Sequence, residues 1–247
     1  MSMNRIIDFL IAPRGKCMGC GALTGSDNGW LCADCYGSLK PLYKEKNASA
    51  VICAHCGTVY FGGGFCTGCR RKNVELLKAP AAFVYDGPVR EIIHNFKFKG
   101  TYRMADYMAG YMKKALETEE IGNIDLIVPV PLHKNRFLER GYNQSEKLAK
   151  ALTKLISVPM VNALERTRST KSQSSLNGTQ RRGNLDGAFR ADERVKGKFV
   201  LLIDDVRTTG TTAVKCAEAL FSAGARDVTV LTFAQAEPKD GSWKKYR

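Results

Sequence analysis

The chain has 247 residues, 44% of them hydrophobic and 25% charged, the balance of a soluble globular protein. It has room for one large domain or a small module joined to a medium one, and it holds no apolar run of about 18 residues, so no membrane insertion is expected. The formal net charge of +14 is concentrated: between His133 and Lys198, 15 Lys and Arg stand against 6 Asp and Glu. Such a stretch is expected to face something anionic.

Near the N-terminus, Ile6–Ala12 is short, contains Asp8 and lacks a small-residue cleavage site before the cysteines begin. It reads as a packed terminal segment and not as a signal peptide. Of nine cysteines, eight form four C-x-x-C pairs: Cys17/Cys20, Cys32/Cys35, Cys53/Cys56 and Cys66/Cys69. Paired spacing of this kind belongs to metal knuckles, and four thiolates close a tetrahedron with no open position for catalysis. About two structural Zn²⁺ are therefore expected, in a reducing compartment such as the cytoplasm. Gly21 follows the first knuckle and Gly57 the third, an internal repeat that favours two sequential Cys₄ ribbons over a cross-braced pairing. Cys216 falls in an apolar helical pattern and reads as a core thiol.

After Lys78 the pattern changes, and residues 79–247 read as a second domain following the Cys-rich module of residues 1–78. Ala81–Tyr85 is a short strand and Asp86-Gly87-Pro88 a turn. Val89–Phe98 and a segment from about Arg103 to Leu116 have helical spacing, the latter with a Met/Tyr stripe of core character. An α/β alternation follows. Asp125–Val130 reads as a buried strand, and Ser145–Ile156 as a helix with Leu148, Leu152 and Leu155 inward. Phe199–Ile203 is a strand, Thr211–Ser222 a helix and Val228–Phe233 a strand. This order predicts parallel pairing in a doubly wound sheet.

The chemistry is concentrated in Val200–Thr212, VLLIDDVRTTGTT. An apolar strand delivers two acids, and a Thr/Gly loop then enters a helix, beyond the carboxyl edge where ligands of such sheets bind. Asp204 and Asp205 suit a pair of sugar hydroxyls. The backbone N–H groups and hydroxyls that follow, with the helix N-terminus, suit a phosphate. Gly210 permits close backbone approach. The chain has no G-x-x-x-x-G-K-[ST] loop, and no G-x-G-x-x-G follows a predicted strand.

The thirteen-residue string resembles the 5-phosphoribosyl-1-diphosphate (PRPP) motif of type I phosphoribosyltransferases. The four knuckles, FKFKG at Phe96–Gly100, VPVPLHKNRFLERGYNQS at Val128–Ser145 and RTRSTKSQSSLNGTQRRGNLDGAF at Arg166–Phe189 occur in the order of the ComF family, also called ComFC or GntX-like. The resemblance implies an α/β, type I phosphoribosyltransferase-like sheet behind a small double zinc-ribbon module, and a role in DNA uptake during natural transformation. It implies that Asp204 and Asp205 hold the ribose hydroxyls, directly or with Mg²⁺. Val206, Arg207, Thr208, Thr209, Gly210, Thr211 and Thr212 would hold the 5′-phosphate. Arg207 departs from the family, which usually has an apolar or aromatic residue there, and its guanidinium is expected to point to solvent or reach a phosphate. Pro131–Asn143 takes the diphosphate-loop position, with Arg140 as its expected charged contact and Gly141 beside it.

Arg166–Phe189 is long and polar, and reads as a lid carrying Arg166, Arg168, Lys171, Arg181 and Arg182, or as a solvated surface loop. Lys134, Arg136, Phe137 and Tyr142, with Arg181 and Arg182, also make a cationic stretch with interleaved aromatics, of the kind that binds single-stranded nucleic acid. No residue is an evident general base; His94 and His133 read as structural or surface groups. Two functions follow: phosphoribosyl transfer to an unassigned acceptor, or non-catalytic PRPP sensing coupled to nucleic-acid binding. The expected partners are PRPP, single-stranded DNA and a competence helicase.

Overall fold

In the computed structural model, residues 16–23, 30–44, 50–53, 59–61, 76–119, 121–167 and 187–237 are described. The terminal segment Ile6–Ala12, the knuckle residues Cys56, Cys66 and Cys69, and the loop cations Arg168, Lys171, Arg181 and Arg182 lie outside them.

The N-terminal part contributes a short helix α1 (Ala33–Gly37), a turn of 3-10 helix at Leu42–Lys44, and three short strands: β1 (Ala50–Cys53), β2 (Val59–Phe61) and β3 (Leu76–Lys78). The strands pair antiparallel in the order β2-β1-β3. Next come β4 (Ala81–Val84), α2 (Gly87–Phe98), α3 (Met104–Glu117), β5 (Leu126–Pro129), α4 (Lys134–Arg140) and α5 (Gln144–Ile156). A two-stranded antiparallel ribbon, β6 (Leu164–Arg166) with β7 (Phe189–Ala191), precedes β8 (Phe199–Arg207), α6 (Thr211–Ser222) and β9 (Asp227–Gln235).

The central sheet has the order β4-β9-β8-β5, and every pairing in it is parallel. Parallel strands are buried on both faces, which explains the near-continuous apolar runs Val200–Ile203 and Val228–Phe233. On one face, Leu201, Ile203, Leu231 and Phe233 join a core built with α2, α3 and α5. On the other, Val200, Leu202, Val228 and Val230 pack with Val214, Ala217 and Leu220 of α6. Helices cover both faces, as the doubly wound expectation requires.

The methionine stripe of α3 is core, with Met104, Met108 and Met112 fully buried, and Cys216 is a buried thiol on α6. One inward assignment fails: Leu148 and Leu152 of α5 are buried, but Leu155 is 41% exposed. It lies in the last turn, and the helix ends at Ser157, which has a left-handed φ of 56°. The cysteine region is not an appendage to this core. Cys17, Met18, Trp30, Leu31 and Cys35 belong to the cluster that holds Phe96 and Phe233, and Asn95 of α2 donates to the Met18 carbonyl at 2.9 Å.

Candidate functional site

Strand β8 continues past its apolar run, so Asp204 and Asp205 emerge at the carboxyl edge of the sheet between β5 and β9. Gly210 takes φ 75° just before α6, a left-handed turn that closes the Thr208–Thr212 loop onto the helix start. The Thr209 and Thr211 hydroxyls lie 2.9 Å apart. Residues 204–212 form one wall of a cleft of about 770 Å³, and residues from the β5–α5 connection form the other.

The two acids differ in surroundings. Asp204 Oδ1 accepts from Ser145 Oγ and from the Asp205 N–H, both at 2.9 Å. Burial and the adjacent Asp205 carboxylate raise its carboxyl from the usual carboxylate range to about 7, against the opposing pull of Lys97. Asp205 is 5% exposed and its Oδ2 lies 2.9 Å from Lys97 Nζ. Lys97 comes from the last turn of α2, and Ser145 from the first turn of α5. Both touch the acid pair and both line the cleft. Both lie in segments that carry the family resemblance, FKFKG and VPVPLHKNRFLERGYNQS, where local pattern assigns neither a role; the first lysine of FKFKG is the available signal.

The opposite wall is a capped turn. His133 caps α4, its ring accepting from the Asn135 N–H at 3.2 Å, and Gly141 ends the helix with φ 75°. That structural role accounts for His133. Asn143 caps α5 and donates to the Val130 carbonyl at 3.0 Å, tying the connection back to β5. Held this way, Arg136 and Arg140 line the cleft. Arg140 Nη1 donates to Gln144 Oε1 at 3.0 Å while its guanidinium lies 4.9 Å from the centre of the Phe98 ring. Burial lowers its pKa despite the favourable field of Asp205.

Arg166 also lines the cleft, but from β6, over the Phe189 ring. Both ends of the long polar segment are thus strand, and residues 167–188 lie between them. The nucleic-acid set divides. Lys134 is exposed and Phe137 is 47% exposed on α4, both outside the cleft. Tyr142 is no open stacking platform, because it packs edge-on against Phe96 and Tyr102 and its hydroxyl donates to the Phe96 carbonyl.

Arg207 overturns the expectation of a solvent-facing guanidinium. It is 3% exposed, Nη2 donates to Gln235 Oε1, and burial lowers its pKa to about 9. The last residue of β8 is covered because its register partner Gln235 ends β9 beside it.

The four cysteines of the first two knuckles converge, their sulfurs all within 4.8 Å of one another. The Cys20 and Cys32 sulfurs are 3.7 Å apart, the edge expected of a tetrahedron with Zn–S bonds of about 2.3 Å. Backbone N–H groups of Gly19 and Cys32 both donate to Cys17 Sγ at 3.3 Å, the support a thiolate ligand takes from its surroundings. The donor set fits zinc, and it pairs the first knuckle with the second, the sequential arrangement. Cys53 is buried at the end of β1, apart from this cluster.

Residues 104–246 match the model of the phosphoribosyl transferase domain. The chain belongs to that family. Its ComF membership follows from relatives that span nearly its whole length. Competence protein F of Haemophilus influenzae is 29% identical over 231 residues, covering 90% of this chain and 97% of that protein. DNA utilization protein YhgH of Escherichia coli K12 is 29% identical over 212 residues, covering 81% and 93%. Competence protein ComFC of Streptococcus pneumoniae is 26% identical over 234 residues, covering 89% and 100%. Among solved structures, an allosteric regulatory enzyme of purine biosynthesis aligns at 20% identity with a TM-score of 0.36, over 56% of this chain and 29% of its own. That superposition is too loose to carry an argument, and the ComF assignment rests on the sequence relatives. Among the described residues, no helix of this ComF protein is long and apolar enough to cross a membrane.

Proposed function

We propose that this ComF protein binds PRPP in the cleft above β8 and transfers its phosphoribosyl group to an acceptor, in the cytoplasm, in the service of DNA uptake. The observation that carries the reading is the acid pair at the strand end, with a phosphate-sized loop on one side and two cleft arginines on the other. Asp204 and Asp205 hold the ribose hydroxyls. The N–H groups of Thr208–Thr212 and the positive end of α6 hold the 5′-phosphate. Arg136 and Arg140 face the diphosphate across the cleft.

In the transfer, the bond from C1 to the diphosphate oxygen breaks and the leaving group keeps the electron pair. A lone pair of the acceptor forms the new bond at C1, and the acceptor's proton passes to solvent. Mg²⁺ bound with the diphosphate supplies further neutralisation of the leaving charge; the carboxylates of Asp204 and Asp205 are oxygen ligands suited to it. The Cys17–Cys35 zinc is structural and supports the wall that packs on α2. The N-terminal 78 residues are read as the zinc-ribbon module, with a second ribbon at Cys53, Cys56, Cys66 and Cys69.

Calorimetric titration with PRPP and Mg²⁺ tests the reading. Wild type binds, and Asp204→Asn with Asp205→Asn loses at least tenfold in affinity; equal affinity overturns it. The exposed Phe137 and Lys134 favour a second reading, in which the protein senses PRPP and binds single-stranded DNA without turnover. Diphosphate release separates the two, since the second predicts none, together with salt-sensitive DNA binding that weakens in Phe137→Ala.

A further inference from the structure

The buried guanidinium of Arg207 is incompletely satisfied. Nη2 is bonded to Gln235, but Nε and Nη1 have no partner among the described residues, although Arg207 lines the cleft. Gln235 Nε2, fully buried beside it, also has no partner. Every unmet group of this pair is a donor, because the only acceptor, Gln235 Oε1, is already used. The nearest carboxylate along the strand, Asp205, is engaged by Lys97 at 2.9 Å. A cation held out of water with unmet donors is costly unless an anion completes it.

Its position separates it from the groups assigned to the two phosphate ends of PRPP. Strand alternation puts Arg207 with Asp205 and Ile203, on the face packed by α2, α3 and α5. The Thr208–Thr212 loop turns into α6, which packs on the opposite face. The arginines facing the diphosphate, Arg136 and Arg140, approach from the β5 side, whereas Arg207, the last residue of β8, is bonded to Gln235 of β9 on the other side. A nucleophile that displaces diphosphate enters from the side away from the leaving group, here the β9 flank.

We propose that Arg207 and Gln235 form an acceptor subsite that takes an acidic group, a carboxylate or phosphate, so that the acceptor of this protein is an anionic nucleophile. The inference rests on the PRPP reading and goes past it. Arg207 acts as the specificity residue: its unmet Nε and Nη1 hydrogens, which leave the guanidinium on different edges, and the Gln235 amide are donors for the oxygens of an acidic group.

Two probe pairs that differ mainly in one carboxylate test it: orotate against uracil, and nicotinate against nicotinamide. Each is titrated into the Mg²⁺–PRPP-loaded protein. The acids are expected to bind at least tenfold more tightly than their neutral partners. Arg207→Met is expected to reduce that ratio to near one, and Arg207→Lys to leave it intermediate. A ratio read within one variant cancels any change in PRPP affinity, and circular dichroism establishes that each variant is folded. Acids that bind no better than the neutral probes, or a preference that survives in Arg207→Met, overturns the subsite. So does an Arg207→Met effect confined to ribose 5-phosphate, which would put the guanidinium on the sugar phosphate. Wild type that binds no PRPP defeats the underlying reading instead, and the first titration reveals this.

Discussion

Lys97 Nζ lies 2.9 Å from Asp205 Oδ2, joining the last turn of α2 to the end of β8 across 108 residues of chain. Both side chains are largely out of water, at 19% and 7% exposure. The pair fixes the helix against the strand at the point where the acids enter the cleft. Removing one partner strands a buried charge, so Lys97→Met is expected to lower stability by about 2–3 kcal/mol, somewhat below the usual loss for a fully buried pair because Lys97 keeps partial solvent contact. Adding Asp205→Asn to Lys97→Met should restore more than half of the loss. Urea unfolding of the two single variants and the double variant measures the coupling, and additive losses would refute it.

The acid pair also gives a pH signature. Asp204 titrates at about 7 in the folded protein against an ordinary 3.8, so between about pH 4 and 7 the folded state holds the proton that the unfolded state has released. Its contribution to stability therefore falls as pH rises through that window, and the penalty is complete above pH 7. Asp204→Asn removes the titration and keeps an oxygen for the Ser145 hydroxyl. The variant should match wild type near pH 4 and exceed it in urea midpoint at pH 8, with the gap opening between. A constant gap across that range would show that Asp204 titrates normally.

The knuckle packs closely enough on α2 that a single methyl group tests it. A Cβ at Gly19 would stand 2.9 Å from Cys35 Sγ and 2.9 Å from Pro88 Cβ, closer than such atoms approach. Gly19→Ala is expected to weaken zinc retention against a chelator by tenfold or more. Cys32→Ser should remove one equivalent of zinc by elemental analysis and lower the melting temperature, because Trp30 and Leu31 of the same loop lie in the main core. Unchanged zinc content in Cys32→Ser would refute the site.

The legible parts of the fold were those where one force dominates locally. Val200–Ile203 and Thr211–Ser222 declare strand and helix through continuous or periodic burial, and the Thr/Gly turn between them leaves little choice of site. The knuckles reveal their chemistry because metal ligation demands spacing. What stayed hidden depends on contacts between distant segments. Lys97 and Ser145 touch the acids only because the sheet order brings α2 and α5 to the mouth of β8. Tyr142 looked like an open ring until Phe96 and Tyr102 closed on it. The α4 helix at Lys134–Arg140 was missed because its seven residues bury none of their side chains, which leaves no apolar period to read.

Arg207 is the sharpest of these cases, since a charge at the end of a strand, beside polar loop residues, reads as solvated. Its burial depends on Gln235 at the end of the neighbouring strand, 28 residues later. If its unmet donors are kept for a ligand, the unliganded protein bears their cost, and an apolar side chain should be better tolerated there than the native one. Arg207→Met is thus expected to raise stability by about 1–3 kcal/mol without ligand, the lost Gln235 bond offsetting part of the gain. Urea unfolding at pH 7 without phosphate or other oxyanions measures it. A substantial loss of stability would instead mean that the guanidinium is satisfied within the protein, and the unmet donors would cease to be a reason for a ligand.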